Sequence, residues 1–163
     1  MTVLVGHGYD SHRLVEHRPL RLGGVEIPGA ERGLDGHSDA DVLAHAVTDA
    51  LLGAAALGDL GDHFPDTDPR YAGADSIALL GHVRGLLTDR GLAVGNVDAT
   101  VVCERPRLGP YREAMRDRLA AAAGLARERV SVKFTTNEGM GWIGRGEGVA
   151  AFSVVTVASL RSS

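Results

Sequence analysis

Residues 38–57, SDADVLAHAVTDALLGAAAL, decide how this chain is read. Ser38 offers a capping hydroxyl, and Asp39 and Asp41 put acids in the first turn, where they complement the helix dipole. The small apolar residues that follow run until Gly58, so the pattern predicts a helix from Ser38 to about Leu57. Its polar exceptions fall in register: Asp41, His45 and Asp49 stand at i, i+4 and i+8 along one face. One of those carboxylates is expected to accept the second ring N–H of His45 and so fix its tautomer.

Upstream of this helix, Val3-Leu4-Val5 begins a strand, and the chain remains extended through Tyr9 and His12. Pro19, Gly23-Gly24, Pro28-Gly29 and Gly33 break residues 13–36 into short strands and turns. Leu20 to Leu22 and Val25 to Ile27 form a small hairpin around the two glycines. Downstream, Gly58 to Pro69 is rich in Asp, Gly and Pro, structureless by pattern, and of a length often given to function. Helices are expected over Ala74 to Arg90 and Tyr111 to Ala123, each followed by glycine. Strands are expected over Val94 to Val102, Val130 to Phe134 and Val149 to Ala158, with a turn at Pro106 to Pro110 and a Gly-rich loop from Thr135 to Gly148. Strands and helices in this order predict one α/β domain, an α+β sandwich over residues 1–163, whose mixed β-sheet carries helices on one face.

Composition narrows the function. Apolar residues make up 44% and charged residues 23%, which suits a packed globular chain and excludes a disordered one. Aromatics reach only 4%, so the core falls to Val, Leu, Ala and Ile. The net charge of −4 and the lack of any basic block argue against a nucleic-acid partner. An anionic substrate must then be attracted by a metal, a few arginines or backbone N–H groups. Cys103 is the lone cysteine, so no internal disulfide forms, and a reducing, cytoplasmic setting is expected. No signal peptide or membrane-spanning stretch is expected.

The chemistry begins at Asp10-Ser11-His12. Residues two apart on a strand share a face, so Asp10 and His12 can reach one ion, with His45 the best third ligand. Two imidazoles, one carboxylate and a free position make the donor set of a catalytic zinc site. Each histidine taken alone also reads as a satisfied surface or core residue, and His7, His17, His63 and His82 keep that plain reading. His37-Ser38 before the helix reads either as an anion site or as simple capping. Thr135-Thr136-Asn137-Glu138 suits a phosphate held with a hard cation, or a polar turn. Arg145 in Gly144-Arg-Gly-Glu-Gly148 can grip a phosphate with two N–H groups.

Laid side by side, several segments resemble the 2-C-methyl-D-erythritol 2,4-cyclodiphosphate synthase family of the non-mevalonate isoprenoid pathway. They are Gly6-His-Gly-Tyr-Asp-Ser-His12, His37-Ser-Asp-Ala-Asp41, His45 to Asp49, Ala54 to Asp68, Gly95-Asn-Val-Asp98, Thr135 to Glu138 and Gly144 to Gly148. The resemblance runs nearly end to end. It implies a homotrimer of α/β subunits with active sites at subunit interfaces. It also implies the reaction, in which the 2-phosphate of 4-diphosphocytidyl-2-C-methyl-D-erythritol 2-phosphate attacks the β-phosphorus and expels CMP.

By the same resemblance, Asp10, His12 and His45 hold Zn²⁺, and Glu138 holds Mg²⁺ or Mn²⁺ across the diphosphate. His37 and Thr136 stabilise the transition state, and Ser38 binds phosphate. Asp59, Gly61, Phe64, Asp66 and Asp68 line the methylerythritol pocket. Cys103, Pro106, Arg107, Leu108, Gly109 and Thr135 hold the cytidyl part, while Trp142 and Arg145 make further ligand contacts. Tyr9, Arg145 and Glu147 adjoin an axial cavity. Two positions depart from the family pattern: Arg107 stands where lysine is common, and Cys103 where a smaller residue is common. Two other readings are a zinc hydrolase of phosphorylated nucleotides and a non-catalytic trimeric binder; the latter should have lost Asp10, His12, His45, Thr136 or Glu138, and all five are present.

Overall fold

The computed structural model describes residues 2–159. Strand β1 (Val3–Glu16) is the spine of the sheet. It pairs antiparallel with the last strand, β7 (Gly148–Ser159), from Val3 opposite Ala158 to Arg13 opposite Gly148. Between them in sequence lie β2 (Arg21–Leu22), β3 (Val25–Glu26), β4 (Arg32–Leu34), β5 (Leu92–Val102) and β6 (Val130–Thr135). The main sheet has five strands in the order β4-β1-β7-β5-β6, with β5 and β6 parallel and the other pairs antiparallel. Strands β2 and β3 form the small hairpin expected around Gly23-Gly24.

Helices α1 (Val42–Ala54), α3 (Ser76–Asp89) and α4 (Arg112–Ala123) cover one face, as the pattern predicts. The closest approach is that of α1 to β1. A Cβ on Gly6 would lie 1.8 Å from the Ala50 carbonyl oxygen, and one on Gly8 would lie 1.9 Å from that of Ala46. The alternation Gly6, Gly8, Asp10, His12 therefore seats a helix on bare backbone and then turns the Asp10 and His12 side chains toward it. The core between helices and sheet is built from aliphatic residues such as Leu43, Leu51, Leu80, Leu87, Met115 and Leu119. Each removes roughly 2–3 kcal/mol worth of apolar surface from water. The other face of the sheet is open. There Val3, Val5, Tyr9, Phe152 and Val154 are exposed.

The helix expected from Ser38 starts later and ends earlier. Its N-cap is Asp41, because Ala40 sits in the left-handed region (φ 56°) and the backbone turns before the helix begins. It ends at Ala54, with Ala56 (φ 52°) and Gly58 (φ 83°) leading away. Asp41 accepts the Ala44 N–H at 3.0 Å and also the N–H groups of Gly23 (2.8 Å) and Gly24 (2.6 Å), which docks the hairpin onto the helix start. The segment Gly58 to Pro69 is not structureless. It holds a one-turn helix α2 (Leu60–His63), fastened by a capping box between Asp59 and Asp62, and leads into a 3₁₀ turn at Pro69–Tyr71. A second short helix, α5 (Gly141–Gly144), lies within the loop expected from Thr135 to Gly148. No helix among the described residues is long and apolar enough to cross a membrane.

Candidate active site

Three donor atoms converge where β1 passes the middle of α1. Asp10 Oδ2 lies 3.0 Å from His12 Nε2 and 2.9 Å from His45 Nδ1, and the two ring nitrogens are 3.3 Å apart. Three ligands each about 2.0–2.1 Å from a tetrahedral zinc stand roughly 3.3 Å from one another, so this triangle fits a metal with little adjustment. Asp10, His12 and His45 form, among the described residues, the one group of acids, histidines and cysteines placed to hold an ion. Such a group can hold a divalent cation. His45 is buried, while Asp10 and His12 are half-buried and face outward.

The electrostatics support a charged cluster. Burial alone would push the Asp10 carboxyl up, but hydrogen bonds from His12 and His45 outweigh it and bring the group down to about 2. Burial likewise pushes the His12 imidazole down, and the Asp10 carboxylate more than reverses that, raising it above its ordinary value. Asp10 therefore stays ionised to lower pH than a free carboxyl, and His12 keeps its proton to higher pH than a free imidazole.

The second nitrogen of His45 does not reach Asp41 or Asp49, the partners expected from helical spacing. Asp41 is fully engaged by backbone N–H groups at the hairpin and the helix start, and burial raises its carboxyl. Asp49 accepts the Leu60 N–H at 3.1 Å, outside the site. His45 Nε2 meets the Ser76 hydroxyl at 2.8 Å and the Ser38 hydroxyl at 3.2 Å. Ser76 in turn donates a short hydrogen bond to Asp39. Neither Ser76 nor Asp39 stands out in the sequence, because a serine at a helix start reads as capping.

The His37-Ser38 loop is tied to this centre. Gly73 N–H donates to the His37 carbonyl at 2.8 Å and Asp39 N–H to the Ala74 carbonyl at 3.0 Å. The exposed His37 ring lies 2.9 Å from the Asp68 carbonyl through Nε2. Asp68 caps the Pro69–Tyr71 turn and binds Arg70, which holds its carboxyl below the ordinary range. Phe64 packs edge-on against Tyr71 and His82, anchoring the loop that carries Asp59, Gly61 and Asp66. His37, Ser38 and the 59–68 loop thus belong to the metal side of the molecule.

A second cluster forms at the same end of the sheet. Cys103, Pro106, Arg107, Leu108, Gly109, Thr135 and Thr136 line a hollow of about 570 Å³. A neighbouring hollow of about 820 Å³ shares Pro106, Arg107 and Thr136 and is bounded by Leu14 and Arg32. Burial raises the Cys103 thiol to about 11, which agrees with an inert lining role. The loop beyond Thr135 is braced by Asn137 N–H to Glu104 at 2.6 Å and by Glu138 N–H to the Thr136 hydroxyl at 3.3 Å. Glu138 holds a left-handed φ of 53° and is exposed, an orientation that costs a non-glycine residue about 1 kcal/mol or more. Trp142 and Arg145 line neither hollow; Arg145 pairs with Glu147 at 2.6 Å.

The two clusters do not meet within one chain. In register, Asp10 lies opposite Ala151, Ala151 opposite Val101, and Val101 opposite Phe134. Three strand steps separate them, roughly 14 Å.

The chain is similar over nearly its full length to known proteins. The profile of the YgbB family matches residues 3–158. The 2-C-methyl-D-erythritol 2,4-cyclodiphosphate synthase of Trichlorobacter lovleyi is 59% identical over 151 residues, covering 93% of this chain and 96% of the relative. That of Symbiobacterium thermophilum is 60% identical over 156 residues, covering 96% and 99%. Among solved structures, the bifunctional IspDF from Campylobacter jejuni superposes with a TM-score of 0.93 at 42% identity, over 97% of this chain and 42% of that longer one. A 2C-methyl-D-erythritol-2,4-cyclodiphosphate synthase solved with CDP bound superposes at 0.86 with 42% identity, over 94% and 99%.

Proposed function

This chain belongs to the YgbB family, and on that premise we infer that it converts 4-diphosphocytidyl-2-C-methyl-D-erythritol 2-phosphate into 2-C-methyl-D-erythritol 2,4-cyclodiphosphate and CMP, a step of non-mevalonate isoprenoid synthesis. An oxygen of the 2-phosphate forms a new bond to the β-phosphorus. The bond from that phosphorus to the bridging oxygen breaks, and the oxygen leaves with CMP. This makes the enzyme a phosphorus–oxygen lyase. The observation that carries the reading is the Asp10–His12–His45 triangle beside the His37-Ser38 loop, in a chain 59–60% identical to named synthases.

The donor set of two imidazoles and one carboxylate suits Zn²⁺, and exposed Glu138 suits Mg²⁺ or Mn²⁺. Bound there, the ions would supply the positive charge that an acidic chain of net −4 lacks for neutralising a diphosphate. The remaining work falls to side chains that position and stabilise, as phosphoryl transfer requires. Ser38 donates its hydroxyl to a phosphate oxygen. His37 and Thr136 donate hydrogen bonds to the oxygens that gain charge at the transferring phosphorus. Asp59, Gly61, Phe64, Asp66 and Asp68 enclose the methylerythritol. The hollow at Cys103, Pro106, Leu108, Gly109 and Thr135 takes the cytidine, with Arg107 on its phosphates, and Trp142 and Arg145 extend the contacts.

The working unit is a homotrimer. The separation of the two clusters supports this, since a neighbour's cluster can complete each site. So does the open sheet face, where Val3, Val5, Tyr9, Phe152 and Val154 leave an apolar surface that calls for a partner. The lone cysteine fits a cytoplasmic enzyme. The test is incubation with the cytidyl substrate and Mg²⁺, followed by phosphorus NMR. Stoichiometric CMP with a cyclic diphosphate is expected, and linear hydrolysis products would sink the cyclase reading in favour of a hydrolase.

A further inference from the structure

We propose that Ser76 and Asp39 are positioning residues that set the ring orientation and tautomer of His45, and with them the affinity of the metal site. The inference rests on the metal-site reading above. His45 turns Nδ1 toward Asp10 and His12, so its proton must sit on Nε2 when Nδ1 holds a metal. That proton needs an acceptor, since His45 lies in the buried middle of α1. The Ser76 hydroxyl oxygen is 2.8 Å away, and the Ser76 side chain is fully buried. Among the described residues the carboxylate bonded to that hydroxyl is Asp39, whose Oδ1 takes its hydrogen. Asp39 is itself fixed: Oδ2 accepts the Ser76 N–H at 3.1 Å, and Oδ1 accepts the Asp41 N–H at 3.2 Å.

With a metal on Nδ1, the direction of the chain is determined. His45 Nε2–H donates to Ser76 Oγ, and Ser76 O–H donates to the Asp39 carboxylate. A carboxylate at the far end polarises the hydroxyl, strengthens the imidazole as a metal donor and holds its ring against rotation. Ser38 Oγ, at 3.2 Å from the same nitrogen, is the more distant and more exposed acceptor. Its hydroxyl is left available to a phosphate. The same chain ties the metal centre to the first residue of α3, 31 positions further along the sequence.

The test compares the full-length wild type with Ser76→Ala, Ser76→Thr, Asp39→Asn and His45→Ala. The zinc dissociation constant is read by competition with a chromogenic chelator, and the His45 tautomer by long-range ¹H–¹⁵N NMR. Ser76→Ala is expected to weaken zinc roughly 10- to 100-fold, Asp39→Asn less, and Ser76→Thr should recover most of the loss. The zinc-loaded wild type should show His45 protonated at Nε2. Unchanged zinc affinity in Ser76→Ala, with zinc lost in His45→Ala, overturns the role of Ser76 and leaves the metal site standing. A wild type that binds no zinc overturns both. If Ser76→Ala does not fold, the wild-type tautomer decides: protonation at Nδ1 refutes the proposal, and protonation at Nε2 with rescue by threonine supports it.

Discussion

The Asp10–His12–His45 cluster and the cluster proposed for the cytidyl part are built in opposite ways. Asp10, His12 and His45 sit on a strand and a helix whose backbones approach closely at Gly6 and Gly8. Their donor atoms lie within 3.3 Å of one another before any ligand arrives. Thr136 and Arg107 instead sit on exposed loops around an open hollow, with Thr135 at the end of β6 and Glu138 exposed beyond it, about three strand steps away. Donor atoms for an ion have to be organised in advance, because the cost of gathering and fixing them would otherwise weaken binding. A nucleotide pocket can be shallower, because its ligand brings its own shape and a second subunit can supply the opposite wall.

If that contrast is right, damage to the two sides should differ in kind. His45→Ala is expected to lower turnover on the order of 10³-fold or more, and to abolish zinc binding, with the circular dichroism spectrum retained. Full turnover by that variant would remove zinc from the mechanism. Glu138→Ala should reduce turnover by on the order of 10²-fold without changing zinc content. Partial recovery at high Mg²⁺ would mark it as a ligand of the second ion, whereas zinc loss in this variant would break the separation of the two sides.

The same contrast explains what could be read from the sequence. Asp10, His12 and His45 were legible because strand period and helix period each put ligands on a known face. The helices on one side of the sheet followed from the order of strands and helices along the chain. The true partner of His45 was not legible, since Ser76 is distant in sequence and Asp41 and Asp49 were better spaced candidates. Both of those carboxylates went to backbone N–H groups, a demand that helical spacing does not reveal. The late start of α1 turns on the left-handed Ala40, a residue type with no local preference for that conformation. Helix α2 is too short for any periodic signal. Thr135 to Glu138 read either as a phosphate-and-cation site or as a polar turn, and only the family resemblance gave Cys103 to Gly109 roles.

Acid offers a sharper probe of the buried side. In the metal-free protein the Asp10 carboxyl is depressed from 3.8 to about 2. A depressed carboxyl stabilises the fold above its unfolded value, here by about 2 kcal/mol above pH ~4. That contribution fades as the pH falls from about 4 toward about 2. His12 works in the opposite sense: its raised value gives stability below pH 6.5 that is lost as the pH rises through the folded value. Melting temperatures in chelator should therefore show an acid loss in the wild type that is smaller in Asp10→Asn. Identical acid limbs would mean that the carboxylate and the two imidazoles are not coupled. With zinc present the alkaline loss should reverse, because deprotonated His12 is the form that binds metal.

The smallest effect is expected on the cytidyl side. Arg107 is exposed, and its guanidinium is free to approach a phosphate at the mouth of the hollow. Arg107→Ala should raise KM roughly 10-fold, the worth of one or two charge-assisted hydrogen bonds. Turnover at saturation and zinc affinity should stay within about two-fold, because the interaction is made equally in the ground and transition states. Arg107→Lys keeps the charge but loses the planar fork, so its KM should fall between those of the wild type and the alanine variant. A loss concentrated in kcat would place Arg107 on the transferring phosphorus, and the two sides of the site would then share the chemistry.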